Sequence, residues 1–162
     1  MKSLRIGIIA MAAMLGGIGL AQAQTAKDLV GAWRLVSNVN IGADGTKSFG
    51  YTNTPSGIAM FDAAGNFTLL NTRPDLPKFQ SNNRTTGTAE ENKAVVVGSL
   101  GVFGTFTVEN NVINLKVEGG TWAAWNGTVQ KRPILSLTAD ELKYTVAASV
   151  GGSSENVYKR IK

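Results

Sequence analysis

The sequence predicts an all-β domain over residues 24–162: a small antiparallel up-and-down barrel of about eight strands, with one short helix. Three observations predict it. Apolar and polar residues alternate with a period of two along most of the chain, as they do when one face of a strand is buried and the other is wet. Gly, Asn, Asp and Ser break that alternation at short intervals, the spacing of consecutive antiparallel strands. Only one segment carries a strong helix-start signal. Closing such a series into a barrel removes the edge strands and leaves room for a small ligand inside, and a two-sheet sandwich is the structural rival.

Residues 1–23 read as a cleaved signal peptide. Met1, Lys2 and Arg5 form a basic start, Ile6 to Leu20 is an apolar run, and Ala21-Gln22-Ala23 supplies small residues for cleavage. The run has 15 residues and contains Gly7, Gly16, Gly17 and Gly19, short of the roughly 20 apolar residues that span a bilayer. No membrane span is therefore expected after cleavage. No cysteine follows the run to accept a lipid, so the mature chain is expected free in a bacterial periplasm or secreted.

From Val30 to Ile41 the alternation places Trp33, Leu35, Val39 and Ile41 on one strand face and Arg34, Asn38 and Asn40 on the other. Ala43-Asp44-Gly45-Thr46 turns the chain. Gly57 to Asp62 and Phe67 to Arg73 flank Ala64-Gly65-Asn66 as a hairpin. The loop Arg73-Pro-Asp-Leu-Pro-Lys78 cannot be strand interior. Thr88-Ala-Glu-Glu91 is a capping box, so Asn92 to Val97 is read as helix, stopped by Gly98 and Gly101. Alternation resumes at Val102, with Phe106 and Val108 facing Ile113, Leu115 and Val117 across Asn110-Asn111. Gly119-Gly120 leads to Trp122 and Trp125, and Asn126-Gly127 opens a strand through Leu137 that Pro133 bends or bulges. Leu142, Tyr144, Val146 and Ala148 share one face of the next strand. Gly151-Gly-Ser-Ser154 then turns into a last strand from Asn156 to Ile161.

The missing residue types exclude whole classes of chemistry. The chain has no His and no Cys, hence no Ser-His-Asp or Cys-His triad, no thiolate nucleophile and no zinc site of the usual imidazole or thiolate kind. No catalytic residue, metal ligand or cofactor is assigned. Gly98-Ser-Leu-Gly101 and Gly119-Gly120 lack the lysine and the strand-loop-helix setting of a phosphate cradle. Without Lys2 and Arg5 the formal charge falls from +5 to +3, and the remaining basic residues are scattered except at Lys131-Arg132 and Lys159-Arg160. Nucleic-acid binding needs a basic stripe or patch and is not expected. A chain of this length buries a core without disulfides, and a monomer is expected.

Several segments, in order, resemble the lipocalin-like domain proteins of bacteria, within the broader calycin group. They are Leu29-Val-Gly-Ala-Trp33-Arg-Leu-Val-Ser37, Gly57-Ile-Ala-Met-Phe-Asp-Ala-Ala-Gly-Asn66, Thr72-Arg-Pro-Asp75, Thr88-Ala-Glu-Glu91, Gly104-Thr-Phe-Thr-Val108, Trp125-Asn-Gly-Thr128, Gln130-Lys-Arg132 and Tyr158-Lys-Arg160. The chain departs from that pattern between Leu115 and Glu118, where relatives often carry a histidine, and at Tyr158, where tryptophan is usual. The resemblance implies a barrel whose lumen holds a small apolar or amphiphilic molecule. It also implies a structural role for Gly31 and Trp33, with Arg160 lying over the Trp33 ring at the closed end of the barrel.

Met60, Phe67, Phe106, Trp125 and Tyr144 are the candidate ligand-contacting walls, although inward apolar residues also serve as plain core. Gln130 and Arg132 share a strand face with Thr128, opposite Val129, Lys131, Leu135 and Leu137. Hydrophobic counting alone turns Arg132 outward as a solvated surface arginine, whereas a bulge at Pro133 turns Gln130 and Arg132 inward before it and Leu135 and Leu137 inward after it. A buried guanidinium then needs a partner: a ligand carboxylate, water, or the hydroxyl of Tyr144 or Tyr158. Arg73 either rims the mouth or fixes its own loop. The leading function is a carrier or binder of a small hydrophobic or amphiphilic molecule. The alternatives are a barrel isomerase, cyclase or hydratase using Tyr, Arg and carboxylates, and a ligand-free module that binds another protein or the envelope through its surface.

Overall fold

Strand alternation and turn chemistry combine into a closed barrel of eight antiparallel strands with a ninth short strand added at the rim. The computed structural model describes residues 24–147 and 151–162, so residues 1–23, read as a signal peptide, and Ala148 lie outside the described residues. In chain order the elements are α1 (Ala26–Leu29), β1 (Gly31–Ile41), β2 (Lys47–Phe49), β3 (Ser56–Phe61), β4 (Asn66–Thr72), α2 (Ala89–Gly98) and β5 (Ser99–Glu109). They continue with β6 (Val112–Gly120), a 3₁₀ turn (Ala123–Trp125), β7 (Val129–Leu137), β8 (Glu141–Ala147) and β9 (Ser153–Arg160). From β3 onward each strand pairs with the next. β1 closes the ring, pairing with β3 at Gly31–Arg34 and with β9 from Trp33 to Ile41, while its far end also carries β2.

The hairpins follow from their turns. Asn110 and Asn111 both adopt positive φ, 52° and 60°, the backbone of a two-residue turn whose twist matches its strands. They set the register Phe106 opposite Leu115 and Val108 opposite Ile113. Asp62 caps the turn between β3 and β4 by accepting from the backbone N–H groups of Ala64 and Asn66. α2 begins at the expected capping box: Thr88 Oγ1 accepts from Glu91 N at 3.2 Å and the Glu91 carboxylate accepts from Thr88 N at 2.8 Å. Gly98 is its last residue. Gly101 is no stop signal but lies inside β5, which starts directly at Ser99 rather than at Val102.

One end of the barrel is packed solid. Trp33 is fully buried beneath Leu29 of α1 and donates its indole N–H to the Leu29 carbonyl at 2.8 Å. Arg160 lies over the same ring with its guanidinium carbon 3.9 Å from the ring centroid. Its Nη atoms donate to the Val30 and Asp28 carbonyls at 2.6 and 2.7 Å. Gly31 has φ +133°, and a Cβ built there would stand 2.8 Å from Arg160 Nη1, so the strand can pass under the guanidinium only as glycine. Phe61 and Phe106 meet edge to face at 4.9 Å in this half, with Phe67 paired opposite Phe61 and buried beside it.

Two bulges redirect side chains and correct the expected strand faces. In β1 the register slips between Leu35 and Ser37, leaving Val36 outside. Asn38, expected outside, is consequently buried, in phase with Trp33 and Leu35 only because one extra residue intervenes. In β7 the slip falls between Ile134 and Ser136, two residues after Arg132 rather than at Pro133. Arg132 is buried and Gln130 half-buried, but Leu135, expected inside, is 51% exposed.

Candidate functional site

Opposite the packed end, the barrel contains a cavity of about 250 Å³. Its apolar wall comes from Leu69 of β4, Val102 of β5, Leu115 of β6 and Val146 of β8. Its polar wall comes from Asn38, Tyr51, Asn71, Arg132, Tyr144 and Asn156. α2 and the 3₁₀ turn bring Val97 and Trp125 to it. This mixture of an apolar body and a few fixed polar groups is the composition of small-molecule pockets.

The polar groups are organised rather than scattered. The Tyr144 hydroxyl donates to the Tyr158 hydroxyl at 3.3 Å, which donates in turn to Asn71 Oδ1 at 3.1 Å. The two rings stack at 5.7 Å. Asn38 Nδ2 donates to Asn156 Oδ1 at 2.7 Å, tying β1 to β9 from inside the barrel. Burial pushes the Tyr158 phenol well above its ordinary range, reinforced by Tyr144, and burial also raises Tyr144 and Tyr51.

Arg132 is the exception to this self-sufficiency. It is 5% exposed, and its guanidinium donates to the carbonyl of its own neighbour Lys131 at 2.9 Å and faces the Trp125 ring at 5.3 Å. Burial lowers its pKa, and the Tyr144 and Tyr158 phenols pull the other way. All eleven carboxylates of the chain lie among the described residues, and none pairs with it.

The expected site residues fall into three groups. Trp125, Arg132 and Tyr144 line the cavity. Phe67 and Phe106 face inward but belong to the packed half, where they fill space beside Phe61. Met60, Arg73 and Gln130 do not line it. Met60 is 46% exposed because Ala59 and Phe61 take the inward positions of β3. Arg73 is held in its own loop by Asp75, through paired contacts of 2.9 and 2.8 Å. Gln130, half-buried, donates to Thr128 Oγ1 at 2.8 Å.

Asn38, Asn71 and Asn156 had no place among the expected site residues. Asn71 carries a readable signal, since it continues the inward series Phe67, Leu69, Asn71 along β4. Asn38 carries none, because the Val36 bulge hides its phase. A larger hollow, about 420 Å³, lies beside Lys27, Asp28 and Arg160. The Arg160 guanidinium there is already committed to backbone carbonyls.

Among curated proteins, nothing matches the chain. Solved structures similar to it include a redesigned β barrel, 11% identical with a TM-score of 0.45, covering 87% of this chain and 98% of that one. A de novo designed fluorescence-activating β barrel is 11% identical with a TM-score of 0.40, covering 84% and 96%. The redesigned barrel mFAP1, bound to DFHBI, is 15% identical with a TM-score of 0.39, covering 83% and 97%. The family model of the lipocalin-like domain matches residues 30–159, from the residue before β1 to the next-to-last residue of β9, and the chain belongs to that family.

Proposed function

We propose that this protein is an exported binder of one small amphiphilic molecule, held in the cavity at the end of its barrel away from Trp33. The observation that carries the reading is the division of the interior. One end is filled by Trp33, Phe61, Phe67 and Phe106, whereas the other holds about 250 Å³ between an apolar wall and a fixed polar wall. Pockets for drug-sized ligands run from about 300 to 1,000 Å³, so this lumen suits a compact ligand rather than a long acyl chain. Trp125, Arg132 and Tyr144 are its proposed contacts among the residues singled out from sequence, joined by Asn71 and Leu115.

A barrel enzyme working by carboxylate acid–base chemistry has less support, because no Asp or Glu lines the cavity. Export is proposed from the basic start, apolar run and Ala21-Gln22-Ala23 of the first 23 residues. No helix among the described residues is long and apolar enough to cross a membrane. We take the mature chain to act as a monomer in the periplasm or outside the cell.

Native mass spectrometry of the protein purified from its own cells tests the reading. One small molecule per chain is expected, on a chain beginning at Gln24, and it is expected to be absent when Val146→Trp fills the lumen. A bare mass for the unmutated chain, or a ligand retained by Val146→Trp, would contradict lumenal binding.

A further inference from the structure

We propose that the lumen selects a carboxylate: a ligand with one anionic carboxylate on the Arg132 guanidinium and a compact apolar body against Leu69, Val102 and Leu115. The inference rests on the lumenal binding proposed above and names the chemistry of its ligand. Arg132 is 5% exposed and lines the cavity, yet among the described residues its guanidinium hydrogen-bonds only to the carbonyl of the adjacent residue. A guanidinium has five N–H donors in a planar fork, and a buried cation without a counter-charge is strongly unfavourable.

Among the described residues the cation–carboxylate contacts all lie elsewhere: Arg73 with Asp75, Lys143 with Glu155, Lys159 with Glu141 and Lys162 with Asp140. The chain places none of its eleven carboxylates against the one arginine that is buried in the lumen. Its remaining N–H groups open onto the lumen rather than being sealed among protein atoms, so a counter-ion from outside the chain can reach them. A carboxylate matches the guanidinium fork with two parallel hydrogen bonds. A single buried cation also neutralises a single charge, which fits a monoanion better than a phosphate monoester. Trp125 covers the guanidinium on one side, and Tyr144 stands near enough to feel its charge, so a carboxylate arriving there finds the cation already oriented. Leaving this charge without a partner in the empty protein is a cost in stability that a binding site bears and a purely structural arginine does not.

The test is calorimetric titration of the full mature chain with matched pairs: 4-phenylbutyrate against 4-phenylbutan-1-ol, and hexanoate against hexan-1-ol. The acids are expected to bind one per chain and at least ~10-fold tighter than the alcohols, a coupling of about 1.4 kcal/mol. Arg132→Met is expected to remove that preference and, in the ligand-free protein, to leave the melting temperature unchanged or raised. In the unmutated protein the affinity for each acid, but not for its alcohol, is expected to fall as pH drops through the acid's own pKa, which gives a readout independent of any variant's folding.

Equal binding of acids and alcohols, or a preference that survives Arg132→Met, overturns the carboxylate inference and leaves lumenal binding standing. A melting temperature several degrees lower in ligand-free Arg132→Met assigns the arginine a structural role and also overturns it. Failure of all four probes to bind overturns the carboxylate inference, while the reading beneath it falls with the bare chain mass in native mass spectrometry.

Discussion

Arg160 and Arg132 each lie over a tryptophan face, at 3.9 Å from Trp33 and 5.3 Å from Trp125, but the groups around them differ. Arg160 spends its donors on the carbonyls of Asp28, Val30 and Ala139, pinning α1 and the β7–β8 turn to the packed end. Hydrogen bonds to a charged donor contribute about 1.5–3 kcal/mol each when their loss strands the partner, less where water replaces it. Arg160→Met is accordingly expected to lower stability by about 2–4 kcal/mol in urea denaturation, whereas Arg132→Met is expected to leave it unchanged or raised. The tyrosines give a second residue-scale expectation. Tyr144 and Tyr158 are raised above their ordinary value of 10.0 in the folded protein. Their contribution is fully present below about pH 10 and is lost as pH rises further, because the unfolded chain ionises first. Each buried phenol adds at most about 1.4 kcal/mol per pH unit to that loss. Denaturation at pH 8, 10 and 11 should show a flat region followed by a fall, and Tyr144→Phe with Tyr158→Phe should shallow the fall.

At the scale of elements, the legible and the hidden parts of the fold separate by mechanism. Local chemistry was readable: the Asn110-Asn111 hairpin, the Asp62 turn and the Thr88–Glu91 capping box each depend on residues a few positions apart. Thr88→Ala is expected to weaken α2 by about 1 kcal/mol, seen as faster amide exchange in Asn92 and its neighbours with little change in global stability. Bulges are not readable in position, because nothing in the residue types marks Val36 or Leu135 as the extra residue of its strand. Strand phase then changes silently. That is why Asn38 turned out to be inside and Leu135 outside, while Arg132, placed inside by a bulge, was placed correctly although the bulge itself lies further along β7. β2 was also missed, since a three-residue strand with all residues exposed carries no alternation to detect.

Across the whole molecule, the barrel and its strand count followed from alternation and turns, but the division into a packed and a hollow half did not. An inward apolar residue looks the same in sequence whether it meets another side chain or open space, so alternation puts Phe67 and Phe106 beside Tyr144 although only Tyr144 lines the cavity. The chain contains three tryptophans that sample the regions this account distinguishes: Trp33 in the packed end, Trp125 at the cavity, and Trp122 on the outside at 52% exposure. Two-dimensional ¹H–¹⁵N NMR of their indole N–H signals during titration with 4-phenylbutyrate and its alcohol reports on all three at once. Lumenal binding predicts a saturable shift of the Trp125 signal with Trp33 and Trp122 unmoved. A shift confined to Trp122, or no shift at Trp125 with either probe, would contradict it.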